Sequence, residues 1–91
     1  MLKEFENWLL SQNYKTTTAI DYKGRIDRLC RAEHFTLDYL MKNIVSILPE
    51  YEDSGEKYHI GRRSHTSVKQ ALRRFYSFLA SMEYQKGGNH D

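Results

Sequence analysis

The chain has 91 residues and a formal net charge of +2, from 14 Lys and Arg against 12 Asp and Glu. This length supports one domain with its own core, and a hydrophobic content of 40% excludes a disordered tail. The single cysteine excludes an intramolecular disulfide. No apolar run approaches the ~18 residues of a membrane span, and the N-terminus lacks a signal-peptide pattern. We therefore expect a cytoplasmic protein with no membrane contact.

Apolar residues at helical spacing, with one Pro and 5 Gly in the whole chain, predict four helices. The first covers about residues 2–12 and ends at Asn13, which can adopt a left-handed conformation. The second begins in a cluster of three threonines at 16–18, any of which could be its N-cap, and it runs to about Glu33. These two segments predict a pair of helices joined by a short turn.

The third helix begins after Thr36 as N-cap, carries apolar residues up to Leu48 and ends at Pro49. A polar segment at 51–63 predicts a loop. Ser64 is the expected N-cap of the fourth helix, which ends near residue 83. No internal repeat interrupts this order, so we expect a compact four-helix bundle of the all-α class.

The fourth helix has two different faces. At 100° per residue, six apolar residues fall within about 60° of Phe75 and predict a core-facing stripe: Val68, Ala71, Leu72, Phe78, Leu79 and Met82. The opposite face carries Thr66, Lys69, Gln70, Arg73 and Ser77. From Lys57 to Met82 the chain has no Asp or Glu. Such a basic face, without a carboxylate, is typical of nucleic-acid binding.

The second helix also has a polar outer face. Opposite Ile26 lie Thr17, Asp21, Gly24, Arg28 and Arg31. A glycine inside a helix costs about 1 kcal/mol relative to alanine, and core packing does not explain Gly24. Either a ligand's backbone approaches there, or the position has drifted because it is exposed. By contrast, residues 35–56 hold five acids against Lys42 alone, which predicts separate negative and positive surfaces.

Three segments, in order and spacing, resemble the N-terminal core-binding (SAM-like) domain of tyrosine recombinases, the phage integrase family. They are FENWL at 5–9, TTTAIDY at 16–22 and ALRRFYSFL at 71–79. The resemblance covers about residues 2–84. It implies a SAM-like domain at 1–84, followed at 85–91 by a linker toward a C-terminal catalytic domain that this chain does not contain.

In that family the module clamps one face of recombination-site DNA, and its second and fourth helices line the duplex. The resemblance therefore implies double-stranded DNA as partner, with the catalytic domain of the same protein on the other face and self-association only on DNA. The implied DNA contacts are Thr17, Thr18, Gly24, Arg28, Arg31, Thr66, Lys69, Gln70, Arg73 and Ser77.

We expect no catalysis in this fragment. His59 and Arg62 fit the family's catalytic H-x-x-R pattern, but they fall in a predicted polar loop without a catalytic scaffold, and we interpret the match as coincidence. His59, His65 and Cys30 have no zinc-site spacing, and we expect no metal or cofactor. A helical protein-interaction module that docks through the acidic segment 35–56 remains an alternative, as does a freestanding helical regulator.

Overall fold

A computed structural model describes residues 1–52, 55–57 and 67–88, with side chains up to residue 82. In these ranges the regular structure is entirely α-helical, which confirms the all-α, four-helix prediction. The helices are α1 (Leu2–Ser11), α2 (Thr16–Glu33), α3 (Leu37–Tyr51) and α4 (Val68–Gly88). Asn13 has φ 71° and His34 has φ 58°, so a left-handed residue follows α1, as predicted, and another ends α2.

The predicted threonine cap of α2 is wrong. Lys15 is the N-cap, with an extended backbone at φ −65° and ψ 150°, and no side chain caps the helix. The carbonyl of Lys15 already accepts the first helical hydrogen bond, from the backbone N–H of Ala19 at 2.9 Å. The three threonines at 16–18 are therefore inside the first turn, beyond the position from which a side chain can act as N-cap.

The starts of α3 and α4 are both capped by hydroxyls. Thr36 Oγ1 accepts a hydrogen bond from the backbone N–H of Tyr39 at 3.0 Å, as predicted. The corresponding acceptor at α4 is Ser67 Oγ, which is 3.2 Å from the backbone nitrogen of Gln70. The predicted cap, Ser64, lies outside the described residues, as does most of the predicted loop.

Both helices also end later than predicted. Pro49 lies inside α3, which continues to Tyr51, although the proline has no N–H to donate to the carbonyl of Val45. Helix α4 continues beyond residue 83 to Gly88, so residues 85–88 of the predicted linker are helical.

Helix α4 is the centre of the packing. It packs against α2 and α3 and touches α1, while α1 packs against α2. The aromatic rings of Phe5 and Phe75 meet edge to face at 5.1 Å, and Phe78 lies 5.5 Å from Phe5 and 5.8 Å from Trp8. The predicted stripe of α4 is confirmed: Val68, Ala71, Leu72, Phe75 and Phe78 are buried, and Leu79 and Met82 pack at the edge of the core.

Helix α3 turns a narrower face to the core than its apolar content indicates. Val45 is 68% exposed, whereas Ile47 and Tyr51 are buried with Leu40 and Ile44. These four buried residues follow one another at spacings of four, three and four, which is the stripe that faces α4. Val45 lies outside that stripe, so its exposure follows from the period of the helix.

A carboxylate joins the ends of α2 and α3. Glu33 Oε1 accepts hydrogen bonds from the Tyr51 hydroxyl and from Lys57 Nζ, each at 2.8 Å. The bonds from Lys57 and then Tyr51 hold the pKa of Glu33 below its usual range. Burial, followed by the bond to Glu33, raises the pKa of Tyr51. This cluster ties residues 55–57 to the corner of the bundle.

We expect Phe75→Ala to destabilise the domain by about 3–5 kcal/mol, because Phe75 of α4 is fully buried against Phe5 of α1. That loss is a large part of the stability of a domain this small. Thermal melts followed by circular dichroism measure it. Tyr76→Ala is the matched control, since the neighbouring Tyr76 is 43% exposed. Similar melting temperatures for the two variants would contradict the assignment of Phe75 to the core.

We expect Glu33→Gln to weaken the dependence of stability on pH in the acid range. Because folding lowers the pKa of Glu33, its contribution is present above the ordinary carboxyl pKa of about 4.3 and is lost as the pH falls through the lower folded-state pKa. The variant should therefore lose stability at neutral pH and differ less from wild type at about pH 3. Urea unfolding at both pH values measures this. Asp21→Asn, at an exposed site on the same helix, is the control, and an equal pH dependence in wild type and Glu33→Gln would refute the role of the cluster.

Candidate nucleic-acid interface

The outer face of α4 is polar and carries no carboxylate. Arg73 and Ser77 are exposed, and Lys69 and Gln70 are half-buried at its margins. Thr66, the remaining predicted contact of this helix, lies outside the described residues. Between 67 and 82 the helix and its cap contain no Asp or Glu. The face is therefore suited to accept negative charge from another molecule.

Arg73 is already bonded within the protein. Its Nε donates to Glu52 Oε1 at 3.0 Å, and its Nη2 donates to Glu52 Oε2, so the guanidinium holds the carboxylate with two parallel bonds. The pair joins the C-cap of α3 to the second turn of α4. Sequence reasoning missed Glu52 because it is 21 positions away along the chain and belongs to the acidic segment.

The prediction of separate acidic and basic surfaces is wrong at this corner of the bundle. Glu52 neutralises Arg73, and Lys57 lies 2.8 Å from Glu33 and 3.9 Å from Glu50. Acids of the 35–56 segment thus meet cations of the segment that follows it. The positive face is smaller than the sequence indicates.

The outer face of α2 lies on the helix that packs directly against α4. Thr17, Arg28 and Arg31 are exposed there, and Thr18 and Gly24 are half-buried. Arg31 forms an ion pair with Asp27 one turn earlier, at 3.0 Å. The two predicted faces therefore belong to neighbouring helices, and each carries an arginine held by an acid.

Gly24 makes room for the side chain of Arg28. A Cβ atom at Gly24 would lie 3.1 Å from Arg28 Nη1 and 3.6 Å from Arg28 Cζ. Those distances are tight, and the end of a flexible side chain could move to relieve them. The guanidinium of Arg28 therefore lies across the glycine, in the space that an approaching ligand backbone would use.

The same two helices carry two further arginines that the sequence did not predict as DNA contacts. Arg25 in α2 and Arg74 in α4 are half-buried. In each of them Nε is inaccessible to solvent and has no hydrogen-bond partner within the described part of the chain. The guanidinium carbon of Arg74 lies 5.7 Å from the centre of the Tyr14 ring. Each arginine lies about 100° from the centre of its apolar stripe, at the boundary between core and surface. The sequence prediction missed both because it took only residues that lie opposite the core.

The side chains in the described ranges that could bind a metal or act as a nucleophile are not clustered. No group of three or more His, Cys, Asp or Glu there could hold a metal ion. Burial and the nearby Asp27 raise the pKa of the Cys30 thiol, which disfavours the reactive thiolate. An open depression at the α2–α3 corner is lined by Glu33, His34, Phe35, Thr36 and Tyr39, and its one carboxylate already binds Tyr51 and Lys57. His59, Arg62 and His65 lie outside the described residues.

Comparisons with family models, with curated proteins and with solved structures found no match to this chain. The resemblance to the core-binding domain of tyrosine recombinases therefore stays a prediction from the three sequence segments. Among the described residues, no helix is both long and apolar enough to cross a membrane.

Proposed function

We propose that this chain is a DNA-binding domain of a site-specific tyrosine recombinase of the phage-integrase type, which clamps one face of recombination-site DNA through α2 and α4. The observation that carries the proposal is the division of α4. One side of the helix is apolar and packs in the core or at its edge, and the other is polar, without an acid over residues 67–82. Helix α2, packed beside it, adds Arg28 and Arg31.

Binding of this kind draws most of its affinity from phosphate contacts. Arg28 is exposed and has no ion pair with the described residues, so it can meet a phosphate directly. Arg31 and Arg73 must first exchange Asp27 and Glu52 for phosphate. Lys69 adds charge beside them, and the hydroxyl and amide side chains can reach phosphates or base edges: Thr17, Thr18, Thr66, Gln70 and Ser77.

The wider setting of the domain follows from the resemblance. The proposal places residues 1–84 in the DNA-binding domain of a cytoplasmic recombinase, with residues 85–91 leading toward the catalytic domain of the same protein. Cleavage and strand exchange belong to that second domain, and this fragment is not itself an enzyme. Copies of the protein would meet only on DNA.

A protein-interaction module is the second candidate, and α3 favours it. Tyr39 is 49% exposed and Val45 is 68% exposed on that helix, beside the acids of the 35–56 segment. Glu50 and Glu52 in this segment already face cations, which leaves less charge for docking. A partner held through α3 would bind whether or not DNA is present, and this distinguishes the two candidates.

We expect the isolated domain to bind duplex DNA weakly and with a steep salt dependence, because each phosphate contact releases condensed counterions. Each contact should contribute about 0.9 to the slope of log affinity against log salt concentration. Fluorescence anisotropy of a labelled duplex at several salt concentrations measures the slope. If binding is absent at low salt, or does not respond to salt, the proposed function fails.

We expect Glu52→Gln to strengthen DNA binding, because it removes the negative charge that Glu52 places against Arg73. The same change should cost at most about 1 kcal/mol of stability, because Arg73 is 43% and Glu52 27% exposed, and partly exposed ion pairs are screened by solvent. The matched control is Glu56→Gln, which removes the same charge at an exposed site. Equal affinities of the two variants would mean that Arg73 does not reach the DNA.

A further inference from the structure

The arginines of α2 and α4 differ in whether the folded protein supplies them with a carboxylate partner. Arg31 and Arg73 each hold a carboxylate, Asp27 and Glu52 respectively. Arg25 and Arg74 have no ion pair and no hydrogen bond with the described part of the chain, and their Nε atoms are enclosed without an acceptor. A buried donor without an acceptor costs more free energy than a hydrogen bond usually supplies. The Nε–H group of each of these two side chains therefore still lacks an acceptor, which an anion would supply.

A pair of aromatic rings lies beside Arg74 and one helical turn from Arg25. The rings of Tyr14 and Tyr22 meet edge to face at 5.9 Å, and Arg74 lies over Tyr14 at 5.7 Å. Arg25 follows Tyr22 by three positions in α2, and residues at that spacing share one side of a helix. Helix α2 packs against α4, and the contact of Tyr14 with Tyr22 links Arg74 to the part of α2 that carries Arg25. From this we infer that the two arginines lie at the junction between these helices.

Recruiting these arginines breaks no bond within the described structure. When Arg25 or Arg74 turns its Nε edge toward an incoming anion, a hydrogen bond forms and none is lost. When Arg31 or Arg73 does so, a carboxylate loses its partner. A phosphodiester fits the first pair well, because its two oxygens match the planar fork of a guanidinium and its charge is neutralised there.

We propose that Arg25 and Arg74 form a phosphodiester-binding pair at the α2–α4 junction and make the first phosphate contacts of the domain, ahead of Arg31 and Arg73. The inference rests on the proposed DNA-binding function and refines it. It assigns the strongest DNA contacts to the junction between α2 and α4 and not to the faces that point directly away from the core. The ring of Tyr14, packed against Tyr22, then holds Arg74 in position.

The test compares glutamine variants of these arginines by DNA anisotropy at several salt concentrations, with a thermal melt of each protein. Arg25→Gln and Arg74→Gln should each lower the salt slope by about one unit and weaken binding about tenfold at low salt. Arg74→Lys keeps the charge but loses the planar group over Tyr14, so its slope should stay near that of wild type. A purely structural role of Arg74 would instead change the melting temperature of both Arg74 variants and leave the slope of the folded protein unchanged.

Two controls separate local contact from net charge. The double variant Asp38→Asn with Lys42→Gln removes a whole ion pair from α3 without changing the net charge, and it should bind as wild type does. Lys42→Gln lowers the net charge by one on α3, in the pair with Asp38, and should leave the slope nearly unchanged.

The outcomes are distinct. If wild type does not bind DNA at low salt, the proposed function fails as a whole. If wild type binds and Arg25→Gln and Arg74→Gln keep its slope, or if the double variant loses as much slope as they do, the function stands and the pair is refuted. Should Arg74→Gln fail to fold, Arg25→Gln and Arg74→Lys decide, because a normal slope in the first or a reduced slope in the second contradicts the proposal.

Discussion

The aromatic contact between α1 and α4 is the constraint on which the rest of the structure depends. Phe75 meets Phe5 edge to face, and Phe78 extends the contact to Trp8. This contact fixes the rotation of α4 about its axis, because a buried Phe75 requires the residues about 160° away to point outward. Arg73 and Ser77 are exposed for this reason. The same packing that holds the bundle together presents its polar face to solvent.

Charge on that face is set by the fold as much as by composition. Residues 67–82 contain only cations among their charged groups, yet Arg73 is matched by Glu52 from the end of α3. In α2, Asp27 matches Arg31 in the same way. What distinguishes one arginine from another is therefore its neighbours. An arginine at a crest can meet an acid from the next helix or the next turn, while Arg74, at the flank over Tyr14, meets an aromatic ring.

The sequence predicted the features that depend on local spacing. The stripe centred on Phe75, the cap at Thr36 and the left-handed Asn13 are each set by residues a few positions apart, and the structure has all three. The threonine cap of α2 failed because three adjacent threonines satisfy the same rule, and composition cannot decide among them or against them all.

Features that depend on long-range packing were beyond the sequence pattern. Neither the bond between Arg73 and Glu52 nor the stack of Arg74 on Tyr14 joins residues of one helix. The position of α4 relative to α3 and to the turn between α1 and α2 is required before such contacts can be inferred. For the candidate interface, periodicity therefore predicted which faces of α2 and α4 are polar. The partner of each arginine on those helices could be identified only from the packed structure.

The end of α3 is held in two independent ways, and this bears on the exchange of partners proposed for the polar face. Tyr51 is buried and bonded to Glu33, which is also bonded to Lys57. The bond between Glu52 and Arg73 is a second tie, at a more exposed site. A phosphate that replaces Glu52 at Arg73 removes only this second tie, and exposed ion pairs contribute little to stability. The buried tie remains, so the proposed exchange of a carboxylate for a phosphate would leave the packing of the bundle intact.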